Sequence, residues 1–466
     1  MWNIIAKNRS FIGCTMRNRW TGLATILQGA MLAGEIFPQA PPPAAAPLLT
    51  EQQAVEIARA ANQQNRESAL GVTQASSAIH QTESLFFPQS SVKFLSGYPL
   101  KPASFFIPEG ALGTFSETGQ VPSKNVTLSG GKNYTLTTFA SVGQPLSQLY
   151  KIHLAFLSAR NQLALAQAAN GGQLQSVTQQ VRKAYHQICL LEVKVSADRD
   201  QLKFLEEALA IATHNVEQGT ALSADSLDAK TAVAQQRYGL LKDSDALTMA
   251  REQLNLLLAR NIDEPFTVEP MAAPSGEETD LAAARATALR QRPEIRQTKL
   301  QVEKANLDIR REKAEYLPDV SAQVTYVGFQ NIEFLPTNMV TAGLSLEWEN
   351  PWDWGRRRAK LAGLRDASKQ QSLTAEDATD KVLLDVSQKY RALQEARLLV
   401  DAATAAKEAS AERLRVVTDQ YKQQSALLAD VLKQAASDSQ QAANLSQALA
   451  AFWNARADFD LAVGND

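Results

Sequence analysis

Residues 174–216, LQSVTQQVRKAYHQICLLEVKVSADRDQLKFLEEALAIATHNV, place apolar side chains at Leu174, Val177, Val181, Tyr185, Ile188, Val195, Leu202, Leu205, Leu209 and Val216. The intervals are mostly three, four or seven, with Gln, Lys, Arg and Glu between them, which is the spacing of a helix packed lengthwise on other helices. The pattern extends back to Pro145 and on to Gly219. A helix of roughly 75 residues at ~1.5 Å each is about 110 Å long, several times the diameter of an ordinary domain. Gly171 and Gly172 lie inside it. Each costs ~1 kcal/mol relative to Ala, which argues for a split, but the residues 205 positions later, Glu376 and Asp377, are no breakers, so the helix is expected to continue through Gly171 and Gly172, with room for a bend.

The rest of the composition agrees with long helices. A chain of 466 residues would ordinarily divide into about three domains, yet no linker separates globular units, and only 7% of the residues are aromatic. The 47 basic and 49 acidic residues nearly cancel, which leaves no basic excess for nucleic acid and no charge-driven disorder. Cys14 and Cys189 make neither a disulfide framework nor a metal cluster. His80, His153, His186 and His214 are scattered without a zinc-type pair, and no phosphate-binding loop is present. Each His reads as a helix-surface residue. No catalytic, cofactor or metal site is expected, and the chain does not read as an enzyme.

Residues 1–47 read as a signal peptide and a Pro/Ala-rich spacer. Arg17 and Arg19 precede a mostly apolar run over residues 20–34, and the Pro-rich segment over residues 38–47 follows. The run is short for a retained membrane helix. Phe11, Ile12 and Gly13 before Cys14 resemble a lipoprotein signal, but only residues 4–6 supply an apolar core ahead of them.

Beyond the leader the chain repeats itself. Residues 48–260 hold a helix (50–86, with Thr50 as N-cap and Pro88 as terminator), an extended stretch, a Pro- and Gly-rich loop (99–131) and a strand in which Tyr134, Leu136, Ala140 and Val142 alternate with polar residues. The long helix, a turn at Gly219 and a return helix complete this half. Residues 261–280 form a connector with Pro265, Pro270 and Pro274. Residues 281–466 repeat the order: a helix over 281–316, alternating strands at 320–326 and 340–348, a long helix over 351–424, and a return helix to Val463. Pro88 and Pro318 differ by 230, as do Ala58 and Ala288. Tyr185 and Tyr390 differ by 205, as do Asp225 and Asp430, and Leu227 and Leu432. The difference of 25 falls in the 99–131 loop.

These lengths suggest four helical columns capped by four strands, with the connector as a belt at half height. Each short helix is about half a long one, and the return helix 222–260 is expected to stack under 281–316, the final helix under 50–86. Tyr185 and Tyr390 are expected in equivalent buried seams.

Strands of about ten residues with one apolar and one polar face match an outer-membrane β-barrel. Four strands cannot close a barrel, and open edges in lipid cost several kcal/mol per unpaired group, so the barrel reading requires an oligomer. A soluble sheet with one face buried on helices explains the alternation equally well. The leader, the repeat and the Trp348, Trp352 and Trp354 cluster at a strand-to-helix junction favour the barrel and a membrane interface.

The duplicated order resembles the TolC family of outer-membrane efflux and secretion channels. Pro351-Trp352-Asp353-Trp354-Gly355-Arg356-Arg357 is similar to the family's lead into its long helix, and Ala426-Leu427-Leu428-Ala429-Asp430-Val431-Leu432 to its periplasmic tip. The resemblance implies a mainly α fold with transmembrane β: long coiled-coil helices forming a periplasmic α-barrel, and a homotrimer with a twelve-stranded barrel in the outer membrane. It implies docking to a periplasmic adaptor and an inner-membrane pump, contact with outer-membrane lipid, and passive conduction from the periplasm to the exterior. Gly219, Leu222, Asp225, Leu427, Asp430 and Lys433 then become tip or gate candidates. Where the family has a second acid, this chain has Lys433. Arg356, Arg357 and Arg358 suit lipid headgroups or a solvated first turn. Loop 99–131 is expected outside the cell. The competing class is a periplasmic coiled-coil scaffold without a pore.

Overall fold

The computed structural model describes residues 47–465 apart from 99, 101–103, 130–133, 220–221, 272–279, 332–335, 349–351 and 424. The expected leader, Cys14 included, lies outside the described residues, as does part of the connector. The elements run β1 (Leu48–Leu49), α1 (Glu51–Ala61), α2 (Gln63–Ser84), β2 (Gln89–Gly97), β3 (Ser104–Ile107), β4 (Thr114–Phe115), β5 (Gly119–Gln120), β6 (Val126–Ser129), β7 (Thr135–Pro145), α3 (Gln148–Glu217) and α4 (Ser223–Leu257). The second half runs β8 (Thr267–Val268), α5 (Leu281–Gln291), α6 (Pro293–Ala314), β9 (Asp319–Gln330), β10 (Asn338–Glu347), α7 (Arg356–Lys422) and α8 (Leu428–Val463).

Helix α3 is 70 residues long and passes through Gly171 and Gly172 unbroken. Of its heptad residues, Val177, Val181, Tyr185, Ile188, Val195 and Leu205 are buried, and Leu174, Leu202, Leu209 and Val216 are half-buried. The seam is therefore the one the spacing predicts.

The lead-in helices differ from expectation. Residues 50–86 and 281–316 are each two helices, interrupted at Asn62 (ψ 134°) and Arg292 (ψ 128°). At Arg292 the cause is Pro293, which disfavours helical backbone in the residue before it and is itself well placed in a first helical turn. At Asn62 the side chain replaces the lost helical bonds: Oδ1 accepts from the Gln64 amide at 2.9 Å, and Nδ2 donates to the Leu257 carbonyl at 2.8 Å. Thr50 does cap α1. Its Oγ1 accepts from the Gln53 amide, and the Gln53 side chain accepts from the Thr50 amide.

Those two breaks correct the stacking. The Asn62 bond to Leu257 places α2 at the end of α4, and an Arg292 bond to the Ala462 carbonyl (3.4 Å) places α6 at the end of α8. Each return helix thus meets the lead-in of its own half, not of the other. Helix length was the same for either choice; the cap at each break selects one. Both α2 and α4 pack on α3, α6 and α8 pack on α3 and on α7, and the columns follow the order α2/α4, α3, α6/α8, α7.

At half height α1 lies against α3. Its Ala54 and Ala58 bury with Val177, Val181, Tyr185, Ile188 and Leu254. Ala284 and Ala288 of α5 do the same on α7, with Val382, Val386, Leu393, Phe452 and Phe459. The two-residue strands β1 and β8 pair in parallel beside this core. Tyr185 closes that belt: its hydroxyl accepts from the Glu269 amide at 2.9 Å and donates to the Leu49 carbonyl at 3.0 Å. Burial pushes its phenol up to about 12. Tyr390 departs from the expected equivalence. It is only half-buried, with its ring centroid 6.0 Å from that of Phe459.

The histidines also divide. His80, His153 and His214 are exposed, but His186 is buried, 3.4 Å from a Glu51 carboxylate oxygen and 3.3 Å from the Asn454 side-chain oxygen. It stands opposite α1 and α8, so its face of α3 is an interface, which a one-seam reading of the heptads leaves out. Near it, Asp458 of α8 pairs with Lys183 of α3 and Lys389 of α7. The expected 99–131 loop contains two small antiparallel ladders, β3 with β6 and β4 with β5. Their strands are two to four residues long, too short for alternation to announce them.

Tyr185→Ala should cost about 3–5 kcal/mol, as other buried aromatic truncations do, and Tyr185→Phe about 1–3 kcal/mol from the unsatisfied belt groups. Denaturant unfolding measures both; a Phe variant as stable as the parent would mean that the hydroxyl does not hold the belt.

A second expectation concerns acid. The His186 hydrogen bond holds the Glu51 carboxyl below its ordinary 4.5. For Asp458, burial works upward, but Lys183 and Lys389 outweigh it and hold the carboxyl below its ordinary 3.8. Both groups bind protons less tightly folded than unfolded. Their stabilisation is therefore complete above these ordinary values and is lost as pH falls through the lower folded ones. Melting temperature followed from neutral pH into acid should fall below about pH 4, and Asp458→Asn should start lower but lose less over that range.

Candidate functional site: the sheet, its junction and the helix tips

The four longer strands form one antiparallel sheet in the order β10, β9, β7, β2. Residues directly opposite in an antiparallel ladder project to the same face, so the register sorts the side chains. Val92, Ala140, Tyr326 and Val340 make one row; Val142, Val324 and Ala342 belong to another, and Ala322 with Leu344 and Val320 with Leu346 to two more. All lie on one face, together with Phe94 and Leu136. On the opposite face, running toward the helices, stand Ser91, Ser141, Thr325 and Thr341, then Gln323, then Ser321 with Ser345, then Asp319 with Glu347. Hydroxyl pairs tie that face across strands, Ser91 to Ser141 at 2.9 Å and Ser321 to Ser345 at 2.6 Å.

The apolar face is not covered by helices. Val340, Leu344 and Leu346 are 67%, 74% and 68% exposed. This removes the soluble alternative, which needs that face buried on the helical columns. Strands of 9 to 12 residues at ~3.3 Å each span about 30–40 Å, or roughly 23–30 Å when tilted by ~40°, the height of an outer-membrane apolar band. No described helix is long and apolar enough to cross a membrane. Both β2 and β10 are edge strands with one side unpaired.

Below the sheet, the end of α6 is gripped from two directions. Ser147, just before α3, donates to the Pro318 carbonyl at 2.8 Å and accepts from the Val320 amide at 2.7 Å. Lys151 reaches Asp319 at 2.7 Å and Glu315 at 3.1 Å. From α7, the buried Arg357 donates to the Glu315 carbonyl at 2.7 Å and lies 5.6 Å from the centre of the Tyr316 ring. A cation at a helix C-terminus suits both the free carbonyls and the dipole. The turn into α7 is closed by Asp353, whose carboxylate accepts from the Arg357 and Gly355 amides. Trp354 and Gly355 take φ of 51° and 87° there, a left-handed corner that glycine tolerates readily. Trp348 directly follows the last residue of β10. Trp348, Trp352 and Trp354, all between the end of β10 and the start of α7 in the chain, are 52%, 82% and 98% exposed. Arg356 and Arg358 beside them are exposed. Ser147 was not a candidate in the sequence, where one serine two residues beyond Pro145 carries no signal.

The tip candidates occupy the far ends of the two helical hairpins. Gly219 has φ of 73° and its amide bonds to the Val216 carbonyl, ending α3. Leu222 and Leu427 are the N-caps of α4 and α8 and are exposed. Leucine has no acceptor, so the cap comes from three residues on: Asp225 accepts from the Leu222 amide at 3.4 Å and Asp430 from the Leu427 amide at 3.3 Å. Lys433 is exposed and makes no ion pair among the described residues.

The sequence matches no protein-family model and no curated protein. Its structure is similar to those of outer-membrane channels. The Campylobacter jejuni CmeC outer membrane channel aligns with a TM-score of 0.74 at 11% identity over 89% of this chain and 85% of that one. The outer membrane protein VceC of Vibrio cholerae aligns at 0.70 and 14% identity, over 89% and 96%. The open state of the Neisseria gonorrhoeae MtrE channel aligns at 0.67 and 19% identity, over 89% of each chain. The fold is thus the outer-membrane channel fold that the resemblance implied, present at nearly full length.

Asp225→Asn and Asp430→Asn remove a charged acceptor in the first turn of α4 and α8, worth about 0.3–1 kcal/mol each. Hydrogen exchange at the Leu222 and Leu427 amides should speed up several-fold in the matching variant; unchanged exchange would mean that these long bonds do not cap the helices.

Proposed function

We propose that this chain is the outer-membrane channel of a tripartite efflux or type I secretion system, a homotrimer that passively conducts substrate from a periplasmic adaptor and inner-membrane pump to the exterior. The observation that carries this reading is the sheet register: one face apolar and bare, the other polar near the helices, and an unpaired edge at each end. An unpaired edge in lipid is costly enough to require closure, and three copies of four strands reach a size at which a barrel surrounds a water-filled path.

The helical columns support the same closure. At one end of the column order, α4 exposes Tyr238, Leu241, Met249 and Leu256; at the other, α7 exposes Leu373, Leu384 and Leu398. These stripes are unpartnered in one copy and lie at the two ends that a head-to-tail ring brings together. A coiled-coil scaffold without a pore gives no role to the bare sheet. In this reading residues 48–260 and 281–466 are the two structural repeats, 261–280 is the equatorial connector, and the Trp cluster sits at the periplasmic lipid interface. Gly219, Leu222, Asp225, Leu427, Asp430 and Lys433 ring the tunnel's periplasmic opening, where Lys433 offsets the field of Asp430.

Native mass measurement in detergent should give a trimer, and that trimer should conduct in planar bilayers. Asp430→Asn should lower the cation preference read from reversal potentials, and Lys433→Asp should raise it. A stable monomer, or a trimer that forms no pore, would overturn the reading.

A further inference from the structure

The face opposite the bare apolar one changes character along the strands. Near the helices it is hydroxyl- and amide-rich, but farther out the register aligns Lys93, Phe139, Val327 and Met339 in one row, and Leu95, Thr137 and Phe329 in the next-but-one row on the same face. Lys93 is exposed, and it makes no ion pair among the described residues. Phe139 and Met339 are 40% and 48% exposed and Leu95 is 67% exposed. The only other charges that this face carries on the four strands are Asp319 and Glu347, at the opposite end. In the proposed channel these rows lie in the lumen, beyond its polar half.

A lumen has no need of apolar rows for its own stability, since water solvates them at a cost. A cation directly opposite a phenylalanine, with a methionine and further apolar groups beside it, matches a ligand that has one negative group and an apolar body. From this arrangement we infer that the outer rows form a binding collar for amphipathic anions, a last station before release. The ammonium of Lys93 takes the anionic group, and Phe139, Met339 and Leu95 take the apolar part. Three copies place three such stations around one opening. The polar half carries no such pairing of cation and apolar surface, so ligands are held only at the outer end.

This inference rests on the channel reading, and single-channel recording separates the two. Decyl sulfate and decyltrimethylammonium, added from the outer side, share an apolar chain and differ in charge. In the wild-type trimer, decyl sulfate should block at about tenfold lower concentration, the scale of one close charge contact partly shielded from water. Lys93→Gln should abolish that difference, and Lys93→Glu should reverse it. Phe139→Ser with Met339→Ser should weaken block by both amphiphiles while keeping the preference for the anion. Inorganic sulfate, which has the charge without the apolar chain, should not block. An open pore that decyl sulfate blocks no better than decyltrimethylammonium would overturn the collar and leave the channel standing, as would a preference unchanged in Lys93→Glu. Absence of any conductance would instead fell the channel reading.

Discussion

The antiparallel pairing of β7 with β9, from Leu136 opposite Gln330 to Pro145 opposite Ser321, is the contact on which the rest of this structure depends. It joins the two halves of the chain into one sheet, and because it is in register it puts the apolar residues of both halves on the same face. A slip of one residue would invert one half relative to the other. The same pairing brings the start of α3 beneath the start of β9, where Ser147 and Lys151 find Pro318, Val320 and Asp319. Helix α3 thereby becomes the inner column of the set, packed on α2 and α4 and on α6 and α8.

Half-height is the second point of control. Asn62 and Arg292, 230 residues apart, break the lead-in helices at matching positions, and their partners Leu257 and Ala462 are themselves 205 apart. The repeat seen in the letters is thus preserved as a three-dimensional contact, although one site uses an amide cap and the other a proline with a guanidinium. Gly464 marks the closeness of the second site. A Cβ there would stand 3.1 Å from that of Gln291.

The hairpins below the belt share a backbone plan but not an interior. In the second, Asp438 accepts from Lys407 and from Ser410; 205 residues earlier the same places hold Val233, Leu202 and Leu205. Conversely, Asp243, buried and paired with Lys194, and Asp198 have Ala448 and Ala403 as counterparts. Burial pushes the Asp198 carboxyl up, and Asp243 adds to it. A polar contact in a helical interface loses favourable bonds with little shift, whereas apolar packing tolerates sliding, so polar clusters pin register at different heights in the two hairpins.

Much of this was present in the sequence. Heptad spacing marked α3, two-residue alternation marked β7, β9 and β10, and the offsets of 230 and 205 showed the duplication that makes α7 and α8 the counterparts of α3 and α4, because these features repeat over many residues and their periods are set by local backbone geometry. Thr50 and Gly219 could be placed for the same reason: caps and turns are decided within a few residues. What the tertiary structure alone decided involves partners far apart in the chain. Length could not say whether α4 meets α2 or α6; the Asn62 side chain could. The burial of His186, the belt bonds of Tyr185 and the grip of Ser147 and Arg357 on the end of α6 depend on which helix face meets which neighbour. So does the alignment of Lys93 with Phe139, Val327 and Met339, since residues on four strands share a row only once the register of every ladder is set.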